Sequence, residues 1–300
     1  MIWKGWLCVL NEKTYNYSLV YINLPILSKG GKNMKEYRHE SENIHKKNEE
    51  VLELQEQIKQ KFRDKRGYWS EGIWSSMLNL DPYFLEQYLD FSLVPFEKKH
   101  ISLKDKELIY IAFDVSATHM YEPGTQAHME NALEYGATTE EILEVIEIAS
   151  LLGMQTFHFG GPILIDELEK IGMNVSQDLS EQQLKMKNSF IEKHGYWDEI
   201  WDAPLRLSPQ IFSAYLGLST VPLKHGQLTQ KMRQFVSLAV DSASTHLNEK
   251  GMRMHIRNAL EFGASKEEIT EVFELVSTLG IHAATTSVPI LEKVLQLREK

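Results

Sequence analysis

Cysteine is almost missing from this chain of 300 residues: Cys8 stands alone. A lone thiol excludes an intramolecular disulfide framework, a CxxC redox pair and a zinc knuckle. Positive charge is also scarce. The chain has 32 Lys and Arg against 42 Asp and Glu, a formal net charge of −10, the opposite of the basic surface that nucleic-acid binding needs. No apolar run approaches the roughly 18 residues of a membrane span, and no compact apolar core with a small-residue cleavage site marks a secretory signal. Sustained period-two alternation is absent as well, which leaves helix as the expected element throughout. These absences predict a cytoplasmic, all-α protein with neither nucleic-acid nor membrane partners.

What is present is an internal repeat. Asp114 to Ala137 reads DVSATHMYEPGTQAHMENALEYGA, and Asp241 to Ala264 reads DSASTHLNEKGMRMHIRNALEFGA, 127 residues later. Twelve of the 24 paired positions are identical, among them Asp114/Asp241, His119/His246, Gly124/Gly251, His128/His255 and Asn131/Asn258. The offset extends from Trp74/Trp201 through Tyr88/Tyr215 to Pro162/Pro289. Two tandem copies of one helical domain follow, which agrees with the two domains that this length allows.

The expected boundaries are an N-terminal extension over 1–33, an amphipathic helix over 34–66, and repeats over 67–172 and 178–300. Residues 1–33 have neither helical nor strand periodicity. Lys29-Gly30-Gly31 can be encoded as a bacterial ribosome-binding site at the right spacing from Met34, so translation is expected to begin at Met34. Ile44, Val51 and Ile58, with Leu54 and Phe62, form the apolar stripe of the following helix. Asp81-Pro82 and Ser208-Pro209 mark helix starts, and those helices are expected to stop before Pro95 and Pro222. Ser102 and Thr229 cap the next helix of each copy. Gly136 and Gly263 are C-terminal caps, Thr138/Glu141 and Ser265/Glu268 are capping boxes, and Pro162 and Pro289 are expected to open the closing helices.

Several side chains on this framework can carry chemistry. Glu107 and Asp114 lie seven apart on one helix. Met129, Ala132 and Leu133, with Ile256, Ala259 and Leu260 in the second copy, read as core. His128 and Asn131 are neighbours along the flank of that stripe, as are His255 and Asn258, so each imidazole sits at the edge of a buried interface where its pKa can be tuned. His119 and His246 fall on the apolar side just before a turn. The plainer reading makes these histidines hydrogen-bonded structural residues inherited from one ancestral copy. A metal site from Asp114, His119 and His128 uses ordinary ligand types, but His-x8-His across a turn is no specific metal signature, and no metal is expected.

The pattern Lys104-Asp-Lys106-Glu107, then His128, Ala132-Leu133, Gly136-Ala137 and Glu140-Glu-Ile142-Leu-Glu144-Val145 resembles the carboxymuconolactone decarboxylase family, which includes alkylhydroperoxidase-like (AhpD-like) proteins. The second copy matches with Lys231-Met-Arg233-Gln234, His255, Gly263-Ala264 and Glu267-Glu-Ile269. The resemblance implies tandem AhpD-like helical domains acting on a small-molecule substrate without metal or organic cofactor. The peroxidase branch carries a Cys-x-x-Cys before the histidine. Here those positions hold Tyr121 and Gly124, and Asn248 and Gly251, so peroxiredoxin-type antioxidant chemistry lacks its thiolate.

The decarboxylase branch is the better match. It implies His128 and His255 as acid or base, with Glu107 as a carboxylate partner; His119 and His246, from their repeated place before the turn, are further catalytic candidates. Asn131, Asn258, Asp114, Asp241 and Tyr121 are the expected substrate-binding residues, and Met120 and Met129 are expected to line the pocket with Tyr121. Gln234 replaces Glu107 in the second copy, which points to the first as the working one. A non-catalytic small-molecule-binding protein is the rival reading. Single-domain members resemble rings built from dimers, which implies a homotrimer of this two-domain chain.

Overall fold

The computed structural model describes residues 7–10, 17–20 and 34–298. Two short strands, β1 (Leu7–Leu10) and β2 (Tyr17–Val20), pair antiparallel with Leu7 opposite Val20. No strand was expected there, because four-residue strands are too short to show alternation. The rest of the 1–33 extension, and with it the expected start at Met34, lies outside the described residues.

Helices make up everything else of regular structure among the described residues, apart from short 3-10 turns. The first copy runs α1 (Met34–Arg66), α2 (Glu71–Leu80), α3 (Pro82–Glu97), α4 (Leu103–Asp114), α5 (Glu122–Glu134), α6 (Thr139–Ser150) and α7 (Gln155–Lys170). The second runs α8 (Glu181–His194), α9 (Asp202–Leu207), α10 (Pro209–Ser219), α11 (Val221–His225), α12 (Gln230–Ser242), α13 (Glu249–Glu261), α14 (Lys266–Ser277) and α15 (Ile281–Arg298). The chain is all-α with two tandem helical copies.

The local signals act as their chemistry requires. Ser102 and Thr229 accept from the backbone N–H of Asp105 and Met232. Thr138/Glu141 and Ser265/Glu268 close complete capping boxes, and Gly136 and Gly263 end their helices with φ of +89° and +83°. The prolines behave differently from expectation. Pro95, Pro162 and Pro289 all lie inside helices α3, α7 and α15, while Pro222 does sit at the start of α11. Each interior proline removes one helical hydrogen bond, yet all three helices run on past it.

The chain forms two compact units that cut across both repeats: residues 1–93 with 280–300, and residues 94–279. In the first unit Ile58 and Phe62 of α1 are buried, with Phe62 against Trp69 and Trp74. There α15 packs on α2, and Glu292 accepts from Ser76 at 2.6 Å and Asn79 at 3.1 Å. In the second unit α7 packs on α9, the counterpart of α2. Each copy thus lends its closing helix to the other.

The core of the 94–279 unit is shared by α4 and α6 of one copy and α12 and α14 of the other. Leu108, Ile111, Val145, Val236, Ala239 and Val272 lie within it, none of them exposed. Two ion pairs cross the copies reciprocally: Lys106 Nζ to Glu271 at 2.8 Å, both fully buried, and the half-buried Arg233, through Nε, to buried Glu144 at 2.5 Å. Lys106 also donates to the carbonyls of Pro95 and Phe96 at 2.8 and 2.9 Å. Because 106 and 233, and 144 and 271, are repeat equivalents, the arrangement has the i-to-j, j-to-i form of a two-fold interface.

The core expectation for α5 and α13 is half right. Ala132 and Ala259 are fully buried and Met129 and Ile256 pack against the core, but Leu133 and Leu260 are 52% and 51% exposed. They lie one residue past the buried alanine, 100° round the helix, outside the inward stripe. The stretch Thr139–Lys170 also reaches the length and apolarity of a membrane-crossing helix, which the sequence reading missed because charges interrupt it. Ile142, Val145, Ala149 and Met154 are buried within the unit, which explains its inward face. A single such stretch does not identify a membrane protein.

Candidate active site

In the first copy, α4 and α5 bring Glu107 and His128 together. His128 Nδ1 lies 2.6 Å from Glu107 Oε2, and Tyr110 stacks on the imidazole at 4.4 Å and 15°. Glu107 is 1% exposed, whereas His128 is half-buried. With Nδ1 turned to the carboxylate, Nε2 is the atom left to exchange a proton with a substrate.

Two turns further along α4 from Glu107, Asp114 is fully buried. Burial pushes its carboxyl up to about 7; His128 opposes that rise, and Glu107 adds to it. His119 Nε2 lies 3.9 Å from Asp114 Oδ1, and burial lowers the His119 pKa. Tyr121 is buried, with its ring tilted against His119 at 6.0 Å. Asn131 sits on the same helix as His128 and is half-buried. Met120 does not line a pocket: it is 70% exposed, at a left-handed turn with φ of +51°. Leu247 repeats that turn with φ of +48°, so the strained conformation belongs to both copies.

Gly124 explains part of the repeated motif. A Cβ there would lie 2.2 Å from Asp114 Oδ2, and one at Gly251 would lie 1.8 Å from Asp241 Oδ2. The aspartate at the end of one helix and the glycine opening the next are therefore one unit, and the glycine is needed for close approach.

The second copy has the same skeleton with different chemistry. His255 Nδ1 meets the amide oxygen of Gln234 at 2.8 Å, and Asn258 Nδ2 donates to that oxygen at 3.4 Å. His255 Nε2 lies 3.6 Å from Asp241 Oδ2. Burial pushes the His255 pKa down to about 4 and the Asp241 pKa up to about 6. Asp241 Oδ1 accepts from Gln155 Nε2 at 2.5 Å and from Asn248 Nδ2 at 3.2 Å. His246 contacts Gln155 Oε1 through Nε2, and burial lowers its pKa.

Gln155 and His158 come from α7, the closing helix of the other copy, and both line a cavity beside His255. The sequence reading missed them. Their repeat equivalents are His282 and Thr285, so no shared residue type flagged the positions.

The model of the family described as "Carboxymuconolactone decarboxylase family" matches residues 82–155 and again residues 209–293. No curated protein sequence matches the chain. Among solved structures, the chain is similar to a protein of Burkholderia xenovorans LB400 provisionally described as a gamma-carboxymuconolactone decarboxylase subunit, solved at 1.70 Å. The identity is 38% and the TM-score 0.78, over 81% of this chain and 98% of that one. Two family matches laid over two copies of the same His-bearing helix pair have one meaning: the chain belongs to the carboxymuconolactone decarboxylase family.

Proposed function

We propose that the protein is a carboxy-lyase that decarboxylates a small carboxylated lactone or keto acid by acid/base chemistry in its first copy. The observation that carries this reading is the 2.6 Å contact between His128 Nδ1 and Glu107. In such a reaction the bond to the departing carboxylate breaks, CO2 leaves, and the electron pair passes into an adjacent carbonyl as an enolate. His128 then delivers a proton from Nε2 to carbon, while the Glu107 carboxylate balances the imidazolium charge. Asp114 and His119 lie beside this pair and are assigned to substrate binding and to support of proton transfer. In the second copy an amide replaces the carboxylate at Nδ1, and the carboxylate of Asp241 lies instead 3.6 Å from Nε2, the atom that would have to meet a substrate. Following ultraviolet loss of γ-carboxymuconolactone with wild type, His128→Ala and His255→Ala tests the reading. Loss of turnover in His128→Ala with activity kept in His255→Ala is expected; turnover that survives His128→Ala overturns it.

A homotrimer is proposed as the assembly. Large apolar side chains stay exposed at matching positions of both copies: Phe91 and Leu218, Leu133 and Leu260, Ile163 and Ile290. Side chains kept apolar and exposed twice over are the signature of surfaces covered by other protein. Light scattering should give three times the chain mass of 34.7 kDa; a monomer overturns the assignment.

A further inference from the structure

The contact with Glu107 fixes one edge of the His128 ring, and one edge is not enough. The χ2 torsion of a histidine is broad, so a ring held at Nδ1 alone can swing its plane about that contact and carry Nε2 with it. Tyr110 supplies the second constraint. Its ring lies over the face of the imidazole, with 4.4 Å between centroids and 15° between planes. Tyr110 is itself held in place: it is 3% exposed, and Phe113 meets it edge-on at 5.7 Å and 77°. Glu107 and Tyr110 stand three residues apart on α4 and so share a face of that helix. One takes the edge of the imidazole and the other its face.

The second copy has neither. Its equivalents are Gln234 and Ser237. Ser237 lines the cavity beside His255 together with Gln234, and a serine has no ring to lay on the imidazole. The next position on the same face is aspartate in both copies, Asp114 and Asp241. The two positions that hold the His128 ring are thus the two at which the copies differ.

We propose that Tyr110 is a positioning residue for the acid/base step at His128, holding the imidazole plane so that Nδ1 stays on Glu107 and Nε2 stays aimed at the substrate. This rests on the reading of the Glu107–His128 pair as the working site. Tyr110 acts through His128 and transfers no proton itself. A stacked pair favours its orientation by about two- to tenfold, and a catalytic group that leaves its reacting geometry loses rate steeply.

Two variants of the full chain test the assignment: Tyr110→Phe keeps the stack, and Tyr110→Leu keeps an apolar side chain without it. The first readout needs no substrate. In 15N-histidine-labelled protein, the downfield Nδ1–H signal of the hydrogen bond to Glu107, assigned by its loss in His128→Ala, should be sharp in wild type and Tyr110→Phe and broadened or lost in Tyr110→Leu. The second is decarboxylation of γ-carboxymuconolactone well below each melting temperature. Tyr110→Leu should lower kcat by about tenfold with KM little changed, and Tyr110→Phe should stay close to wild type. A side chain that merely filled the core would move the melting temperature and neither readout. A sharp Nδ1–H signal in Tyr110→Leu, or a wild-type kcat for that variant, would overturn the proposal. Because the proton signal is read without substrate, it decides the role of Tyr110 separately from the lactone assay, where a wild type without turnover counts against the acid/base reading instead.

Discussion

His128 Nδ1 stands 2.6 Å from the carboxylate of Glu107, and at the equivalent place 127 residues later His255 Nδ1 stands 2.8 Å from the amide of Gln234. One atom type separates the two. A carboxylate stabilises the imidazolium that forms when Nε2 takes a proton, and a neutral amide does so far less. The copies share a fold and differ in what their histidines can do.

The aspartate–glycine contacts make the first prediction. Gly→Ala inside a helix ordinarily stabilises by about 0.5–1 kcal/mol, as expected for Gly72, where a Cβ meets nothing within 4 Å. At Gly124 and Gly251 the new methyl would collide with Asp114 and Asp241, so the sign should reverse, with a loss of about 1–3 kcal/mol. Urea denaturation of the three variants checks this, and stabilisation by Gly124→Ala would contradict it.

The buried ion pairs make the second. Glu271→Gln leaves Lys106 buried without its carboxylate, and Glu144→Gln removes the carboxylate from the half-buried Arg233. Each should destabilise by about 3–5 kcal/mol. Lys106→Met combined with Glu271→Leu removes both charges and should recover much of that loss. A double variant no better than the single one would show that the carbonyl contacts of Lys106, rather than charge compensation, hold the site.

Much of this architecture is legible in the sequence because it is written locally. Ser102, Thr138 and Gly136 set helix ends through contacts within a few residues, and the repeat announces the second copy. What stays hidden depends on distant partners. Nothing local marks Lys106 or Glu144 for burial; each is buried against an equivalent partner from the other copy. Gln155 reaches the second site from a helix that the repeat assigns to the first. Pro95, Pro162 and Pro289 are helix breakers by local rule, yet the helices run on through them. The pairing of Glu107 with His128 was implied by family resemblance; spacing alone gave their helix faces and not the contact.

The raised aspartate pKa values make the third prediction. Asp114 goes from an ordinary 3.8 to about 7 on folding, so between those values the folded state holds a proton that the unfolded state has lost. The stability from this group is present below about pH 4, falls as pH rises towards 7, and is level above. The histidines lowered to about 4, such as His158 and His255, act in the opposite sense: their penalty is largest near pH 4 and disappears above about 6.5. The comparison of wild type with Asp114→Asn isolates the aspartate. The advantage of wild type, measured from urea midpoints, should shrink from pH 4 to 7; an advantage that grows with pH would contradict the assignment.

The most direct test of the division between the copies exchanges their partners. Glu107→Gln gives the first copy the amide of the second, with little change in shape, and should lower the rate of lactone decarboxylation by about 100-fold or more without shifting the melting temperature appreciably. Adding Gln234→Glu should not be needed for activity in an otherwise wild-type chain. Turnover by Glu107→Gln at the wild-type rate would contradict the account, because the carboxylate behind His128 would then have no part in the chemistry.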